Sequence, residues 1–313
     1  AIASSKPVST GMPTQPNLAA TRTTAVIVTY HPALDVLGEL VDRLASQVEM
    51  VLIVDNGSDE DLTTWNALRQ LQAQAQHIIA LNENRGIAAA QNAGIAWAKQ
   101  QGATHILLMD QDSLPASNMV EKLHDALASQ PEAASAGPRY VDTRQKNPPP
   151  FLQIRNWRLC RHSCESDSAV LPVDYLIASG CLIPVLVLEK VGDMRDDLFI
   201  DYVDIEWGLR AGHYGFQSYG VCGAHMEHSL GETPIEFRGR KIPLHSPLRH
   251  YYHFRNAVLL YRTGWVPLQW KCVDAWRLLL KYGFYTLYAK PRRQHFMKMT
   301  QGLFHGIIGR AGK

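Results

Sequence analysis

The stretch I-L-L-M-D-Q-D-S, at Ile106–Ser113, joins an apolar run to two carboxylates that are separated by one residue. Short apolar runs of this kind form strands that are buried inside an α/β sheet. Ligands of open α/β sheets bind outside the carboxyl ends of such strands, and hard divalent cations prefer oxygen ligands. We therefore predict that Asp110 and Asp112 form a metal-binding turn for a phosphorylated substrate. The spacing alone is weak evidence for a metal site, because Asp59 and Asp61 have the same spacing in a predicted solvated loop.

Outward from this stretch, short apolar runs alternate with segments of helical spacing. Such alternation is typical of a parallel sheet with helices on both faces. We predict an α/β architecture with a doubly wound, mostly parallel sheet. The predicted strands lie at 25–28, 51–54, 77–81 and 106–109, and the predicted helices at 34–44, 61–75 and 86–101.

The rest of the chain is less regular. A polar, Pro-rich stretch at 142–167 is predicted to be a loop, two strand pieces are predicted within 173–184, and a helix is predicted to begin at 204–211. We divide the chain into a disordered leader at 1–22, a catalytic domain at 23–245 with halves at 23–140 and 141–245, and a C-terminal helical region at 246–313.

Composition narrows the classes of function. The chain has 313 residues, of which 46% are hydrophobic and 19% charged, so it can bury a large core. A net charge of +2 argues against a nucleic-acid-binding protein, for which a stronger basic excess is expected. The sequence contains no apolar run near the roughly 18 residues that span a bilayer, and its N-terminus lacks the features of a signal peptide. We predict a protein that is neither exported nor integral to a membrane.

Cysteine usage suggests the compartment. The chain has five cysteines, widely scattered at Cys160, Cys164, Cys181, Cys222 and Cys272. An odd, scattered set fits a reducing compartment better than a disulfide framework, so we predict a cytoplasmic protein.

Five motifs, taken together, resemble a known family. They are T-A-V-I-V-T-Y-H-P from Thr24, V-D-N-G-S from Val54, N-R-G-I-A-A-A-Q-N-A-G from Asn84, M-D-Q-D-S from Met109 and F-I-D-Y-V-D-I-E-W-G-L-R from Phe199. They are similar to the inverting nucleotide-sugar glycosyltransferases of GT-A fold, family 2. More narrowly, D-Q-D-S, I-D-Y-V-D-I-E-W, H-S-L-G and R-H-Y-Y-H-F-R-N resemble the bacterial rhamnosyltransferases of lipopolysaccharide and O-antigen assembly. The resemblance covers residues 24–313.

The resemblance implies a metal-dependent transfer from a nucleoside diphosphate. Asp112, with Asp110 beside it, is expected to hold a divalent cation that acts as a Lewis acid for the leaving diphosphate. His228 is expected to be a further ligand, with His225 as its competitor. Imidazole with carboxylates suits Mn²⁺ somewhat better than Mg²⁺, and both ions remain open. The alternative for the acidic pair is a solvated turn at the end of a strand.

The expected general base is Asp204. A carboxylate at a helix start would be exposed to the cleft, and the resemblance implies that it deprotonates the acceptor hydroxyl. The alternative is a helix N-cap, a position that favours Asp. Asp201 is a weaker candidate base. Glu206, Trp207 and Arg249 are expected to contact the acceptor.

The nucleotide is expected at the first two strand ends. Asp55 is placed to accept a hydrogen bond from N3 of a uracil or thymine ring, and Arg85 is expected to reach the diphosphate. Gly180 is expected to permit close backbone approach near the sugar, although a plain turn explains it almost as well. The predicted donor-binding residues are Thr29, Tyr30, Asp55, Arg85, Asp110 and Gly180.

The last stretch, from Trp265, mixes aromatic residues with Lys and Arg, and Asp274 is its only acidic residue. Apolar groups on one helix face with cations on the other describe a helix in a membrane interface. A helical layer packed on the core is the alternative. We predict a peripheral association with the cytoplasmic face of the inner membrane, where lipid-linked acceptors are built.

The expected reaction moves L-rhamnose from dTDP-β-L-rhamnose to a hydroxyl of a bacterial surface polysaccharide or lipopolysaccharide precursor, that is, a glycan or glycolipid acceptor. A UDP-sugar donor such as UDP-galactofuranose is the alternative, because uracil and thymine present the same hydrogen-bonding edge. A nucleotidyltransferase is more remote, since T-Y-H-P lacks the Gly-rich loop with a basic residue. A non-catalytic binding protein would need neither Asp204 nor the metal pair.

Overall fold

The computed structural model describes residues 21–69, 72–141, 149–228, 235–237, 240–242 and 244–313. At 141, 228, 235–237 and 240–242 the description is confined to the backbone. The predicted leader at 1–22 lies outside the described residues except for its last two positions.

Thirteen strands are described. In chain order they are β1 (Thr23–Thr29), β2 (Met50–Asp55), β3 (His77–Ala80), β4 (His105–Asp110), β5 (Ser113–Pro115), β6 (Ala133–Val141), β7 (Phe151–Arg155), β8 (Arg158–His162), β9 (Val170–Val173), β10 (Cys181–Pro184), β11 (Gln217–His228), β12 (Ile235–Phe237) and β13 (Arg240–Ile242). Nine of them form one mixed sheet in the order β3-β2-β1-β4-β10-β6-β11-β5, with β9 beside β11.

The four predicted parallel strands are confirmed. Strand β1 pairs in parallel with β2 and β4, and β2 pairs in parallel with β3. The apolar residues of β1 and β2 are buried on both faces of the sheet, as continuous apolar runs require. In the register, Thr29 lies opposite Asp55 and Val28 opposite Asp110. The carboxyl ends of β1, β2 and β4 therefore meet at one edge.

The described helices are α1 (Leu34–Ala45), α2 (Leu62–Ala67), α3 (Ile87–Gln100), α4 (Met119–Ala128), α5 (Val185–Val191), α6 (Val203–His213), α7 (Pro247–Tyr261), α8 (Leu268–Tyr288) and α9 (Arg292–Ile308). Predictions for α1, α3 and the start of α6 are confirmed. The helix predicted at 61–75 ends early, because the Asn66 side chain bonds both backbone groups of Ala75 at 3.0 Å and turns the chain back.

The prediction of a loop at 142–167 is wrong for the central part of this segment. Strands β7 and β8 form an antiparallel hairpin, and the residues at its turn, Asn156 and Trp157, have φ of 49° and 62°. Two successive positive φ values are typical of a tight hairpin turn, in which Asn is favoured. Positions 142–148 lie outside the described residues. Of the two strand pieces predicted within 173–184, the second is confirmed by β10, whereas the first is wrong because β9 ends at Val173 and residues 174–180 form no strand.

The C-terminal helices pack on the body of the protein. Phe254, Trp270 and Met299 are almost fully buried, in a cluster that also contains Ile154 of β7 and Leu209 of α6. The predicted C-terminal helical region is therefore confirmed, whereas the boundary between 245 and 246 stays a prediction. In the part of the chain that the structure describes, we find no helix with the length and apolar character needed to cross a membrane.

The cysteine pattern favoured free cysteines over a disulfide framework, and this expectation is wrong for one pair. Cys164 and Cys222 form a disulfide, while Cys160, Cys181 and Cys272 are free thiols. The partners are 58 residues apart in sequence, and the sequence alone does not bring them together. Their proximity arises because the segment after β8 returns along β11, where the Cys222 N–H donates to Ala169 O at 3.0 Å.

Candidate active site

The ends of β1 and β2 form a hydrogen-bonded cradle. Thr29 Oγ1 donates to Asp55 Oδ1 at 3.0 Å, and the Ser58 N–H donates to Asp55 Oδ2 at 3.1 Å. The Ser58 hydroxyl also donates to Asp55 Oδ1. Thr29 and Asp55 are both buried. These contacts fix the orientation of the Asp55 carboxylate at the position predicted to meet the nucleotide base.

Gln111, which the sequence analysis did not single out, ties the acidic turn to β1. Its Oε1 accepts from the Tyr30 N–H at 2.7 Å, and its Nε2 donates to Tyr30 O at 3.1 Å. This two-point contact sets the distance between the predicted base site and the predicted metal site. The Tyr30 side chain is 46% exposed, so its ring remains accessible at the mouth of the cradle.

Buried hydroxyl groups form hydrogen bonds that hold the acidic turn after β4, which contains Asp110 and Asp112. Ser179 Oγ accepts from the Asp110 N–H at 3.0 Å and donates to Ser113 Oγ at 2.8 Å, and Tyr140 donates to Ser179 O at 2.8 Å. Ser113 and Ser179 are fully buried. Asp110 and Asp112 are half-buried above this network, so their backbone positions are fixed while their side chains stay within reach of solvent.

The candidate histidine ligands are placed differently. The side chain of His228 lies outside the described atoms, but its backbone is paired directly with Ser113 in the β11–β5 ladder, next to Asp112. His225 instead lies with its Nε2 3.8 Å from Asp167 Oδ1. Among the side chains that the structure describes, no three His, Cys, Asp or Glu groups converge on one point. The backbone register therefore favours His228 over His225 as the third ligand.

Asp204 lies in the first turn of α6, whose N-cap is Tyr202 with φ of 65°. The N-cap alternative for Asp204 is therefore wrong. Burial raises the pKa of the Asp204 carboxyl to about 6, and the negative charges of Asp201 and Asp110 add to this effect. A carboxylate with a raised pKa is a better proton acceptor near neutral pH.

Asp204 and Asp110 are close enough to interact electrostatically, because the charge of Asp110 raises the pKa of Asp204. The pKa of the buried Tyr140 hydroxyl is raised by burial and then by the charges of Cys181, Asp110 and Asp204. A cavity of about 20 Å³, large enough for one water molecule, adjoins Asp204 and is also lined by Gln91. The Gln91 Oε1 is buried and has no hydrogen-bond partner among the described residues.

Two residues predicted to contact the acceptor lie in the core instead. Glu206 is 1% exposed and accepts two hydrogen bonds at 3.0 Å from Arg210. Trp207 is 3% exposed, and its Nε1 donates to Gly192 O at 2.9 Å. Trp207 joins α6 to the end of α5, and Glu206 binds Arg210 of its own helix, so this geometry does not support the acceptor role predicted for them.

Arg249, the third predicted acceptor residue, is near the base. Its guanidinium donates to Asp201 at 3.2 to 3.3 Å. The weaker candidate base, Asp201, is thereby engaged by a cation. Since Asp201 precedes α6 by two residues, Arg249 lies beside the turn that presents Asp204.

The turn around Arg85 is built mainly from amide groups. Asn56 Oδ1 accepts from the Arg85 N–H at 2.9 Å, and Asn84 Oδ1 accepts from the Gly86 N–H at 3.0 Å. Gly86 has φ of 89° and lies against Phe199, where a Cβ atom would overlap the backbone. The exposed Arg85 side chain lies 3.3 Å from Glu83 Oε1. The turn thus presents a surface guanidinium at the N-terminus of α3.

Gly180 has a structural explanation. It has φ of 78°, and a Cβ atom there would lie 2.5 Å from Pro138 Cγ. Backbone conformation and packing both require glycine at this position, so a contact with the sugar is not needed to explain it.

These observations define a class of protein. A mixed sheet with four parallel strands, the hydrogen-bonded Asp55, an acidic turn and a half-buried carboxylate are the arrangement expected of a nucleotide-sugar transferase of GT-A fold. Solved GT-A glycosyltransferases share the fold. GalNAc-T7, solved with UDP, GalNAc and Mn²⁺, has a TM-score of 0.58 at 10% identity over 94% of this chain, which spans 57% of that chain. TarS 1–349 of S. aureus has a TM-score of 0.56 at 12% identity over 92% of this chain and 81% of that one.

Sequence comparison identifies the family. The profile described as glycosyl transferase family 2 matches residues 24–190. The dTDP-rhamnosyl transferase RfbF of Shigella flexneri is 37% identical over 246 residues, which are 78% of this chain and 81% of that protein. The chain belongs to glycosyl transferase family 2 and is a glycosyltransferase, as its motifs predict.

Proposed function

We propose that this enzyme transfers L-rhamnose from dTDP-β-L-rhamnose, with inversion, to a hydroxyl of a bacterial surface polysaccharide or lipopolysaccharide precursor. The observation that carries the reaction is the half-buried Asp204 carboxylate, whose pKa is raised to about 6 by burial and by the nearby charges of Asp201 and Asp110. The choice of donor rests on the 37% identity to RfbF, a dTDP-rhamnosyl transferase.

Asp204 acts as the general base. Its position in the first turn of α6 and its electrostatic interaction with Asp110 of the acidic turn support this role. Removal of the acceptor hydroxyl proton by Asp204 makes the oxygen nucleophilic, and attack on the face opposite the leaving diphosphate inverts the anomeric centre. A single base and a single displacement are sufficient for inversion at the anomeric centre.

The acidic turn provides a suitable site for a divalent cation, Mn²⁺ or Mg²⁺. Asp110 and Asp112 supply oxygen ligands at a rigid strand end, and the register of β11 brings the backbone of His228 beside them. This donor set of two carboxylates and one imidazole suits such an ion. When bound, the ion supplies Lewis-acid stabilisation of the leaving diphosphate.

The donor lies along the edge formed by β1, β2 and β4. Asp55, held by Thr29 and Ser58, accepts from N3 of the thymine ring. Tyr30 covers the nucleoside, and Arg85 with the N-terminus of α3 binds the diphosphate. Orienting the donor in this way lowers the activation free energy of the transfer, because the anomeric carbon is held in line with the base.

The enzyme associates peripherally with the inner-membrane surface. Trp276, Leu280 and Leu287 of α8 are 61%, 55% and 60% exposed. Their spacing of four and seven residues puts them on one helix face. Helix α9 exposes further large apolar side chains at Phe296, Met297, Phe304, Ile307 and Ile308. The opposite faces of both helices are buried, so the packed layer and the membrane surface are compatible.

Sedimentation with phosphatidylglycerol vesicles tests the membrane association. Replacing Trp276 and Leu280 by Ser is expected to reduce the bound fraction by about tenfold. Leu68→Ser is the matched control, because Leu68 is 73% exposed but lies beside α2, away from α8. An equal loss in the control, or no loss in the double variant, contradicts the association.

The reaction is tested with a panel of dTDP- and UDP-sugars and either Mn²⁺ or Mg²⁺, with release of the nucleoside diphosphate as the readout. Slow hydrolysis substitutes for the acceptor. Metal-dependent release from dTDP-rhamnose, at a rate at least about tenfold above that from UDP-sugars, is expected. Preferred release from UDP-galactofuranose would contradict the donor, and release from no nucleotide sugar would contradict the function.

A further inference from the structure

A second cavity lies among the C-terminal helices. Its volume is about 430 Å³, and its lining includes His245, His250, His253, Lys281, Phe284 and Tyr285. Its surface is mostly apolar, its polar side chains are imidazoles, an ammonium and a phenol, and none of the lining residues that the structure describes is acidic. These polar groups favour an anion.

The central observation is the environment of the His250 imidazole. The residue is 2% exposed, and its Nδ1 lies 2.9 Å from His295 Nδ1. Its Nε2 is buried and has no hydrogen-bond partner among the described residues. An unpaired buried polar atom is unfavourable. A ligand that accepts a hydrogen bond from this imidazole would remove this unfavourable contribution.

Lys281 provides the positive charge. Its Nζ lies 3.0 Å from His253 Nε2. The nearby carboxylates have other partners: Asp274 accepts from the Tyr202 and Tyr261 hydroxyls at 2.8 and 2.7 Å, and Asp201 accepts from Arg249. Burial lowers the pKa of both Lys281 and His250. At His250 the neighbouring imidazoles and cations add to this effect, whereas at Lys281 the charge of Asp274 opposes it. Binding of an anion would stabilise the charged forms of both groups.

The cavity lies near the start of the helix that carries the proposed base and near the exposed apolar face of α8. The His253 ring is 5.0 Å from the ring of Tyr202, the N-cap of the helix that carries Asp204. At the other side, the lining includes Leu280, which is 55% exposed and shares a helix face with Trp276. A molecule that extends from the membrane surface to Asp204 would pass this cavity.

We propose that this cavity binds the phosphate or diphosphate group of a lipid-linked acceptor. His250, His253 and Lys281 donate hydrogen bonds to the phosphate oxygens, and Phe284 and Leu280 contact the first part of the lipid chain. The assignment rests on the proposed function, because it places the anchored end of the acceptor close to the base. It assigns a role to three side chains that the transfer reaction itself does not use.

The experiment follows the imidazole signals of the cavity by NMR during titration with farnesyl diphosphate, inorganic pyrophosphate or short-chain phosphatidic acid, without a divalent cation. Signals of His250 and His253, assigned with a His253→Gln variant, report on this cavity and not on the donor site. Farnesyl diphosphate is expected to shift them and to bind at least about tenfold more tightly than pyrophosphate, because its chain adds apolar contact.

Lys281→Gln is expected to weaken binding of farnesyl diphosphate by about tenfold or more, since it removes a charge-assisted hydrogen bond. The control is Arg293→Gln, which removes an exposed cation from α9 and is expected to change the affinity less than about twofold. Unchanged binding of dTDP in both variants establishes that they are folded.

Three results overturn the inference: no shift of these signals with any probe, equal affinity for farnesyl diphosphate and pyrophosphate, or tighter binding of phosphatidic acid. The last two would assign the cavity to a free phosphate or to a phospholipid headgroup. Release of dTDP from dTDP-rhamnose is measured on the same samples. Release without binding in the cavity refutes this inference alone, whereas absence of release refutes the proposed function.

Discussion

The donor edge and the acceptor side of the site are built on different principles. At the donor edge, polar groups are satisfied by one another, as in the contacts of Thr29 and Ser58 with Asp55 and of Gln111 with Tyr30. On the proposed acceptor side, Asp204 is half-buried and His250 is buried, both have shifted pKa values, and the His250 Nε2 lacks a partner among the described residues. We propose that one region is organised before the substrate binds and that the other keeps unfavourable electrostatics that the substrate relieves.

This difference corresponds to the division of work in a transfer reaction. Donor binding needs fixed donors and acceptors, whose geometry is retained from one turnover to the next. Proton transfer needs a base whose pKa is close to the working pH, and burial raises the pKa at a cost in stability. The predictions below test whether the two regions separate in this way, from the largest expected effect to the smallest.

The largest effect is expected for Asp204→Asn. Loss of the general base should lower turnover by about 10³-fold, within the usual range for such a group. The measurement is release of dTDP from dTDP-rhamnose under single-turnover conditions. Asp193→Asn, which removes a partly exposed acid at the surface, should keep turnover within about twofold of wild type. Turnover of Asp204→Asn above a tenth of wild type would assign the base elsewhere.

Asp112→Ala is expected to lower metal-dependent turnover by about 10²-fold, because the diphosphate loses stabilisation as it leaves. Asp59→Ala is a matched control, since Asp59 and Asp61 have the same spacing and the Asp59 side chain is 98% exposed. Titration with Mn²⁺ should show a higher half-saturating concentration only for Asp112→Ala. Equal effects of the two substitutions would contradict a metal site at the acidic turn.

The pH dependence of turnover tests the environment of the base. Because the pKa of Asp204 is raised to about 6, the carboxylate takes up a proton as the pH falls through that value, and turnover should fall about tenfold per pH unit below it. Asp201→Asn removes a neighbouring negative charge and should shift this acid limb to lower pH. A limb that stays in place would exclude Asp201 as a cause of the raised pKa.

A smaller effect is expected on stability. The folded-state pKa of Asp204, about 6, is above its ordinary value of 3.8, so its ionisation opposes folding, and this contribution develops as the pH rises from about 4 and is complete above about 6. Asp204→Asn should therefore raise the free energy of unfolding by about 1 kcal/mol at pH 7. The gain should disappear near pH 4. Urea unfolding at both pH values measures it, and a gain of the same size at pH 4 would contradict the electrostatic origin.

Much of the donor edge follows from sequence. The apolar runs at 25–28 and 51–54 predict strands, and the polar residues directly after them, Thr29 and Asp55, are brought together by the parallel register. Asp110 follows the same rule at β4. Local patterns suffice here because each strand end is defined by its own residues. Gln111 was missed, although its position between two acidic residues of the turn is a usable signal.

The acceptor side depends on contacts between distant segments. Glu206 and Trp207 are next to the base in sequence, yet the turn of α6 directs them into the core. The cavity joins α7 and α8, and the i, i+3 spacing of His250 and His253 indicates a shared helix face but not its burial. The bond between Cys164 and Cys222 depends on strand pairing across 58 residues. Tertiary packing decides all three features.

Calorimetric titration with dTDP-rhamnose and the divalent cation, on the wild type, Asp55→Asn and Asp204→Asn, tests the separation of the two regions most directly. In Asp55→Asn an amide donor replaces one of the oxygens that accept from Thr29, Ser58 and the base, so the dissociation constant should rise by about tenfold or more. In Asp204→Asn it should stay within about twofold of wild type. Weaker donor binding in Asp204→Asn, with Asp55→Asn unchanged, would contradict the account.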